Sequence, residues 1–245
     1  MKVVLAFAAL LLSAGAQAAD IVVLSSTGLT STLTTLQQTY ETKNGDKLVL
    51  NFATTGQLKK RIEGGEAFDF CILTAPVIDE LTKSGKIAGS RIDLSRSSIG
   101  VAVKKGAPKP DLSTAETFKQ AILAAKSVAY TPDGASGLYF VGLTERLGIA
   151  DAVKAKARTI PGGAAGELVA KGEAELAIQQ ISELLLVPGI ELAGPLPPEL
   201  QSITTFSAGI ATQAHNTRGA QALAAFLTTP DAIAVIRAMG MEPAR

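Results

Sequence analysis

Three short loops of small polar residues each stand between an apolar run and a segment with helical periodicity: Ser25 to Gly28, Thr54 to Gly56, and Gly134 to Gly137. A helix N-terminus offers unpaired backbone N–H groups and a partial positive charge, which suits an anion. Small residues let a ligand approach the backbone, and hydroxyl groups add further donors. Brought together in one cleft, the three loops would surround a small anion with neutral donors.

Each of these features also has a simpler interpretation. Ser, Thr and Gly at a strand-to-helix turn often only cap the helix. Lys59, Lys60 and Arg61 follow the second loop and either pair with a ligand carboxylate or form a solvated helix face. Asp133 either contacts a ligand or forms a turn with the glycine after it.

Composition excludes several function classes. With one histidine (His215) and one cysteine (Cys71), a zinc-type metal site is excluded, and no cofactor is expected. The 23 Lys and Arg balance the 22 Asp and Glu without a basic tract, which argues against a nucleic-acid partner. We expect Cys71 to be a buried core residue and His215 to have a surface or capping role.

The elements that must position the loops alternate between strands and helices. Strands are predicted at 21–24, 47–52, 69–73, 127–130, 158–160 and 175–179. Helices are predicted at 29–43, 57–63, 76–84 and 164–171, with one more from the Gly137 loop to Leu147. This alternation predicts an α/β protein with mainly parallel sheets flanked by helices.

Two long β-rich segments, 93–104 and 203–212, break the alternation. We predict that they cross between two lobes. Lobe 1 would then comprise residues 19–98 plus 208–245, and lobe 2 residues 99–207. The Pro- and Gly-rich stretch 187–198 is predicted to be a surface excursion.

The N-terminus has the pattern of a secretory signal peptide. Lys2 is followed by an apolar run over residues 3–12 and by the small-x-small sequence Ala16-Gln17-Ala18. The alternative is a membrane anchor, but the run has about half of the ~20 residues that a span needs. We therefore predict a signal peptide at residues 1–18 and an exported, soluble, periplasmic protein.

A family resemblance rests mainly on the second loop. Residues 51–58 read NFATTGQL and are continued by Arg61 to Gly65 and by Asp69-Phe70. This sequence resembles the binding loop, helix and acidic third strand of the molybdate-binding-protein family of periplasmic binding proteins, over nearly all of residues 20–245. The resemblance implies a two-lobed fold, a monomer that closes on a small anion, and a membrane permease of the ABC type as partner.

The resemblance also implies a set of ligand-binding residues: Ser26, Thr27, Gly28, Thr54, Thr55, Gly56, Ser136, Gly162 and Gln180. Gly28 stands where the family has a serine, and Gln180 stands where it has a tyrosine. These departures predict a ligand other than molybdate. A larger, planar or multi-carboxylate organic anion would suit a pocket in which Gln179, Gln180 and Ser136 are polar partners.

A second block, residues 93–109 together with 178–184, looks like a subgroup that is also similar to periplasmic aconitate isomerase. Such an enzyme shifts an allylic proton in a tricarboxylate and needs a base and carboxylate clamps. The candidate bases are Glu167, Asp133 and Tyr139, and the candidate clamps are Lys59, Lys60, Arg61 and Arg158. None of them forms a catalytic constellation by spacing, so the sequence favours binding over catalysis, and a role as the sensor of a signalling system stays open. A basic cluster and an ionisable group with a perturbed pKa in the cleft would favour the enzyme.

Overall fold

The computed structural model describes residues 20–244, so the predicted signal peptide lies outside the described residues. Its strands are β1 (Asp20–Ser26), β2 (Lys47–Ala53), β3 (Phe70–Thr74), β4 (Ile87–Lys104), β5 (Val128–Tyr130), β6 (Ala157–Thr159), β7 (Leu176–Gln180), β8 (Ile190–Pro195), β9 (Ile203–Ala211) and β10 (Glu242–Pro243). Its α-helices are α1 (Thr30–Asn44), α2 (Thr55–Glu63), α3 (Ala75–Lys83), α4 (Ala115–Ala124), α5 (Ala135–Arg146), α6 (Ala150–Lys156), α7 (Gly166–Lys171), α8 (Ile181–Leu184), α9 (Thr217–Phe226) and α10 (Pro230–Ala238). Two short 3-10 helices lie at Thr27–Leu29 and Pro198–Leu200.

The strands form two groups that share β4. In the first group β1 pairs in parallel with β2 and β3, while β9 runs antiparallel to β3. In the second group β5 pairs in parallel with β6 and β7. The resulting strand order is β2-β1-β3-β9-β4-β7-β5-β6. The structure is thus an α/β protein, as the sequence predicts, but its sheets are mixed: among residues 20–244 four strand pairings are parallel and five, each involving β4 or β9, are antiparallel.

Strand β4 joins the two groups because it changes partners along its length. Residues 87–98 pair with β9, whereas residues 99–103 pair with β7. The change falls between Ser98 and Ile99, where the sequence places the first lobe boundary. The lobe boundaries themselves stay a prediction, and the two groups with their helices are called the first half and the second half below.

Each half buries apolar side chains on both faces of its sheet. In the first half, Leu33 of α1 and Leu223 of α9 pack with Phe70 on one face, while Leu58 of α2 and Cys71 pack on the other. In the second half, α4 and α5 cover one face of the sheet and α7 covers the other. Covering both faces explains why the strands are nearly continuous apolar runs in the sequence.

Most predicted elements are confirmed within a few residues. The stretch 187–198 is wrong as a surface excursion, because residues 190–195 form β8 and pair with β4. This strand is only partly buried, so its sequence lacks a continuous apolar run. The sequence does not predict helices α4, α6 and α8, and it gives no bounds for α9 and α10. The single cysteine, Cys71, is fully buried, as expected, and burial raises its pKa.

The last two helices cover the edge of the first half. Ala220 and Leu223 of α9 and Ile236 of α10 are buried in the core of this half. Across residues 20–244, no single helix has both the length and the apolar character to cross a membrane. The pair α9 and α10 meets the length and composition criteria when taken together, but it is bent by 67°.

The buried carboxylate of Asp69 links three segments of the first half. Asp69 is 2% exposed, and its two carboxylate oxygens accept hydrogen bonds from the backbone N–H of Val22 (2.8 Å) and of Asn216 (2.9 Å). The Asp69 backbone also bonds to Val22 and Ala211. One side chain therefore connects β1, the start of β3 and the approach to α9.

We expect Asp69→Ala to lower the free energy of unfolding by about 2–4 kcal/mol, because two part-buried N–H groups lose their acceptors, each at the lower end of the ~1–3 kcal/mol that a buried group costs. Urea denaturation would measure this. Asp79→Ala is the matched control, since Asp79 is an exposed carboxylate paired with Arg91 and should cost less than about 1 kcal/mol. Equal losses in the two variants would contradict the structural role of Asp69.

Candidate functional site

The strand ends of both halves meet at a narrow cleft. Its lining residues are Ser26, Thr27, Gly28, Thr54, Thr55, Thr131, Gly134, Ala135, Ser136, Gln179, Gln180, Glu183 and Phe206. The free space between them is about 10 Å³, roughly the room for one water molecule, so a larger ligand requires the walls of the cleft to move apart. In open α/β sheets, ligands bind outside the carboxyl ends of the strands, and this cleft occupies that position.

The first half contributes two loops with hydroxyl groups. Strand β1 ends at Ser26, which is buried, and the chain turns directly into a 3-10 helix that leads to α1. The Thr55 hydroxyl at the start of α2 donates to the Ser26 hydroxyl over 3.3 Å. The two loops are therefore in contact and present their hydroxyls to the same space.

Helix α2 begins with a capping box. The Thr54 Oγ1 accepts from the Gln57 backbone N–H, and the Gln57 side chain accepts from the Thr54 N–H. This reciprocal pair fixes the first turn and uses the N–H group of Gln57. The N–H groups of Thr55 and Gly56 are not part of the cap, and such leading N–H groups of a helix have no partner within it.

Phe206 of β9 shapes the floor of the cleft beside Gly28. A Cβ atom placed on Gly28 would lie 2.7 Å from the Phe206 Cζ, which is closer than real Cβ contacts. Glycine is therefore required at position 28 by the ring. The place where the resemblance implies a serine hydroxyl is thus occupied by an apolar aromatic edge.

The second half presents the start of α5. Gly134 precedes the helix, and Ser136 in its first turn is 2% exposed. A Cβ atom on Gly137 would lie 1.8 Å from the Thr131 carbonyl oxygen, so this glycine lets the helix start press against the end of β5. The close approach places Thr131, Gly134 and Ser136 on one wall of the cleft.

The two glutamines at the end of β7 are held in different ways. Gln179 accepts from the Ala165 N–H at 2.8 Å and donates to the Gly163 carbonyl at 2.9 Å, which fixes the loop before α7. In the amide orientation that satisfies its neighbours, the Gln180 nitrogen donates to the carbonyls of Ser97 and Ser98 and its oxygen accepts from the Thr204 hydroxyl. Gln180 thus connects β7 to the strands that run between the halves.

Hydrogen bonds cross the cleft and hold the halves together. Thr27 donates to the Glu183 carboxylate at 2.8 Å, and Thr54 donates to Asp133 at 3.3 Å. At the rim, the Gln57 side chain donates to the Pro161 carbonyl at 2.6 Å. The conformation is therefore a closed one, with the two walls of the cleft in direct contact.

Glu183 is the ionisable residue among those that line the cleft. Burial raises the pKa of Glu183 to about 7, although hydrogen bonds from Thr27, the Gln180 backbone and Gln179 act in the opposite direction. The residue is half-buried: one side of it borders a second groove, and atoms of both halves enclose its other sides. Near neutral pH its carboxyl group can therefore both accept and donate a proton.

The structure brings most of the sequence-predicted ligand residues to the cleft. Its lining includes Ser26, Thr27, Gly28, Thr54, Thr55, Ser136 and Gln180. Gly56 and Gly162 lie at the rim instead, where Gly56 faces the Asp133 carbonyl and Gly162 faces the Gln57 side chain. Both permit the close contact of the halves. Their role in ligand binding stays a prediction.

Two of the candidate bases do not reach the cleft. The Tyr139 hydroxyl donates to the Leu200 carbonyl at 2.9 Å and accepts from Arg146, on the outer side of α5. Glu167 is exposed and pairs with Lys171. The third candidate, Asp133, lies at the cleft edge, where one carboxylate oxygen accepts from Thr54 and the other is buried without a hydrogen-bond partner.

The candidate clamps are directed elsewhere. Lys59 pairs with Glu80, and Arg61 pairs with Glu66. Lys60 and Arg158 are exposed. Over the described residues, no lysine, arginine or histidine lines the cleft, and no group of three His, Cys, Asp or Glu side chains is placed to hold a metal ion.

Sequence reasoning missed Glu183, Phe206 and Thr131 as lining residues. Thr131 directly follows β5, so the rule that strand ends point at the site would have found it. Glu183 is an acidic residue in the first turn after β7, and the same rule applied to that strand would have indicated it. Phe206 lies in the middle of β9, and no local sequence signal marks it.

Comparison with known proteins agrees with this geometry. The family described as bacterial extracellular solute-binding protein matches residues 21–242. The chain is 38% identical to an aconitate isomerase of Pseudomonas sp over 228 residues, covering 90% of this chain and 87% of that protein. It is 28% identical to the molybdate-binding protein ModA of Azotobacter vinelandii, with 98% and 96% covered. The structure of the periplasmic molybdate-binding protein of that organism superposes with a TM-score of 0.76 at 19% identity, covering 90% of this chain and 98% of the other.

Glu183 also makes stability depend on pH. Its pKa is raised from 4.5 to about 7, so the folded protein binds more protons than the unfolded chain between these values. Its contribution is therefore most favourable below pH 4.5, falls as the pH rises towards about 7, and is constant above that. The total change is at most about 3 kcal/mol, at ~1.4 kcal/mol per pKa unit.

We expect Glu183→Gln to remove this dependence. The free energy of unfolding of the variant, relative to the wild type, should increase between about pH 4.5 and about pH 7, as urea denaturation at several pH values would show. Glu167→Gln, an exposed glutamate near the same helix, should differ from the wild type by a constant amount. A constant difference for Glu183→Gln as well would contradict the buried environment assigned to its carboxyl group.

Proposed function

The chain belongs to the bacterial extracellular solute-binding proteins, and on this premise we propose that it binds a small organic anion with two or more carboxylate groups in its cleft. The observation that carries the proposal is a lining of neutral hydrogen-bond donors combined with the apolar ring of Phe206. The donors suit carboxylate oxygens, and the ring suits a carbon skeleton between them.

The donor set explains how an anion is held without a fixed cation. Hydroxyls of Ser26, Thr55 and Ser136 and the starts of α2 and α5 border the cleft from both halves. Backbone N–H groups at a helix start carry partial positive charge and stabilise a negative ligand. A ligand with two or more carboxylates engages both walls at once and so stabilises the closed state.

Phe206 favours an organic ligand over a tetrahedral metal oxyanion. An oxyanion such as molybdate has acceptor oxygens in every direction, and one that faces the Phe206 ring would lack a donor. An unpaired buried acceptor costs roughly 1–3 kcal/mol. The Phe206 ring leaves no room for a Cβ atom at position 28. A serine at that position, with its hydroxyl, would therefore require the ring to move.

Location and partners follow from the proposed role. The protein would be exported by cleavage after residue 18 and act in the periplasm. It would be a monomer, because lobes that open and close around a ligand must move freely. The ligand-bound form would deliver its anion to a permease of the ABC type in the inner membrane.

A thermal-shift screen tests the ligand class. We expect di- and tricarboxylates, including cis- and trans-aconitate, to raise the midpoint of unfolding, and molybdate, tungstate, sulfate and phosphate to leave it unchanged. Ligand at a hundredfold excess over its Kd adds about 2.7 kcal/mol of stability. Thr55→Val should weaken carboxylate binding roughly fivefold, the equivalent of about 1 kcal/mol.

The matched control is Thr35→Val, the same change at an exposed position of α1, which should leave binding unchanged. A shift with molybdate or tungstate alone would overturn the carboxylate assignment. It would mean that the Gly28 and Gln180 departures are compensated by other donors.

A second candidate function is the interconversion of unsaturated tricarboxylate isomers, as in the aconitate isomerase to which the chain is similar. The observation that favours it is a titratable carboxyl group among the neutral donors of the cleft. A carboxylate opposes passive capture of an anion, whereas a carboxyl with a pKa near 7 suits proton transfer at neutral pH. The absence of basic clamps among the lining residues of the described chain leaves binding as the first candidate.

Proton NMR of the purified protein with trans-aconitate separates the two candidates. An isomerase should convert it to a mixture with cis-aconitate, in proportion to enzyme concentration and without added cofactor. A carrier should bind the compound and return it unchanged. Heat-denatured protein controls for uncatalysed conversion.

A further inference from the structure

Glu183 has a position that no other acidic residue of the described chain shares. It lies in the first turn of α8, directly after β7, and its Oε1 accepts from the Thr27 hydroxyl of the opposite half at 2.8 Å. The carboxyl group is thus at the seam of the two halves. It lines the same space as Ser26, Ser136 and Gln180.

Glu183 also borders a second cavity. Thr27 and Glu183 line an outer groove of about 250 Å³ together with residues of α1, α7 and the segment after α8. The groove is open to solvent along Ser31, Ala164 and Leu186. The two residues therefore separate the enclosed cleft from solvent, and a proton on Glu183 can exchange through the groove while the halves stay closed.

The charges around Glu183 are few. Helix α8 packs against β4, β7, β8 and the 3-10 helix after β1. The charged residues of β4 and β8 are engaged away from it, for example Arg96 with Glu242 and Glu191 with Lys109. From α7, Glu167 lines the outer groove, but it is exposed and pairs with Lys171. Burial, rather than a neighbouring charge, therefore sets the proton affinity of Glu183.

We propose that Glu183 is the acid–base residue of the cleft, which takes a proton from one end of the allylic segment of a bound unsaturated carboxylate and returns it to the other end. This assignment rests on the isomerase candidate. Asp133 is the alternative carboxylate at the cleft edge, but it is not among the residues that line the cleft.

The step balances without a further reactant. The Glu183 carboxylate removes a proton from the saturated carbon next to the double bond. The C–H electron pair becomes the new double bond, and the pair of the old double bond forms a C–H bond at the far carbon with the proton from the Glu183 carboxyl. One C–H bond breaks and one forms, and Glu183 returns to its initial state. The helix-start N–H groups stabilise the charge that develops on the ligand carboxylates in between.

The closing experiment compares the wild type with Glu183→Gln for binding and for turnover. Binding of trans-aconitate is measured by calorimetry, and conversion by proton NMR. Glutamine has the size of protonated glutamate and keeps an acceptor for Thr27, so at about pH 6, where the wild-type carboxyl is mostly protonated, we expect a Kd within about threefold of wild type. Without the proton carrier, kcat should fall about 10²–10⁴-fold, the usual contribution of general acid–base catalysis.

The pH profile adds a readout that a purely structural role would not change. The base must be ionised in the closed complex, so kcat of the wild type should rise with pH and level off above about 7. Residual conversion by Glu183→Gln should lack this inflection. Glu145→Gln, the same substitution at an exposed position near the end of α5, should retain wild-type rates and the wild-type profile.

The possible outcomes are distinct. Conversion by Glu183→Gln at the wild-type rate, with the same inflection, would overturn the assignment and leave the isomerase function standing. Binding without conversion by the wild type would overturn both the isomerase function and the assignment. If Glu183→Gln failed to fold, Glu183→Asp would serve instead: a partial rate with a retained inflection supports the assignment, and an unchanged rate overturns it.

Discussion

The position of the cleft follows from the direction in which the parallel strands of both halves run. The parallel strands of the first half and those of the second half both end at the seam between the halves, and β4 runs across it. The loops after β1, β2, β5 and β7 are therefore delivered to the same space. Because a helix follows each of these loops, the same geometry points helix starts and their N–H groups at the cleft.

This arrangement sets the electrostatics of the site. A pocket for a negative ligand usually needs positive charge; in the proposed role, backbone dipoles and hydroxyls would take its place, because Lys59 and Arg61 are paired at the surface. Neutral donors cost less to enclose than a charged side chain, because they lose less hydration when the halves close. The one acidic lining residue fits such a pocket because burial keeps its pKa near neutrality instead of fixing a second negative charge there.

The sequence predicts the scaffold well and the site in part. Apolar runs and small polar loops locate the strand ends within one or two residues, because burial on both faces imposes a clear pattern. The serine and threonine donors follow from that pattern. Phe206 could not be predicted, because its contact with Gly28 joins residues that are distant in the chain and depends on the register of β9 beside β3. Strand β8 was missed because a partly buried edge segment has no periodic signal.

Closure and proton affinity are linked in this architecture. The Thr27–Glu183 hydrogen bond spans the seam, and the burial that raises the Glu183 pKa comes from both halves. If the halves separate to admit a ligand, as the proposed function implies, the carboxyl would be exposed to water and its pKa would return towards 4.5. By linkage, a proton on Glu183 then favours the closed form to the same extent that closure favours the proton. An anion that enters while Glu183 is protonated would meet a neutral pocket. Glu183 would therefore oppose anion binding when it is ionised and favour closure around the anion when it is protonated.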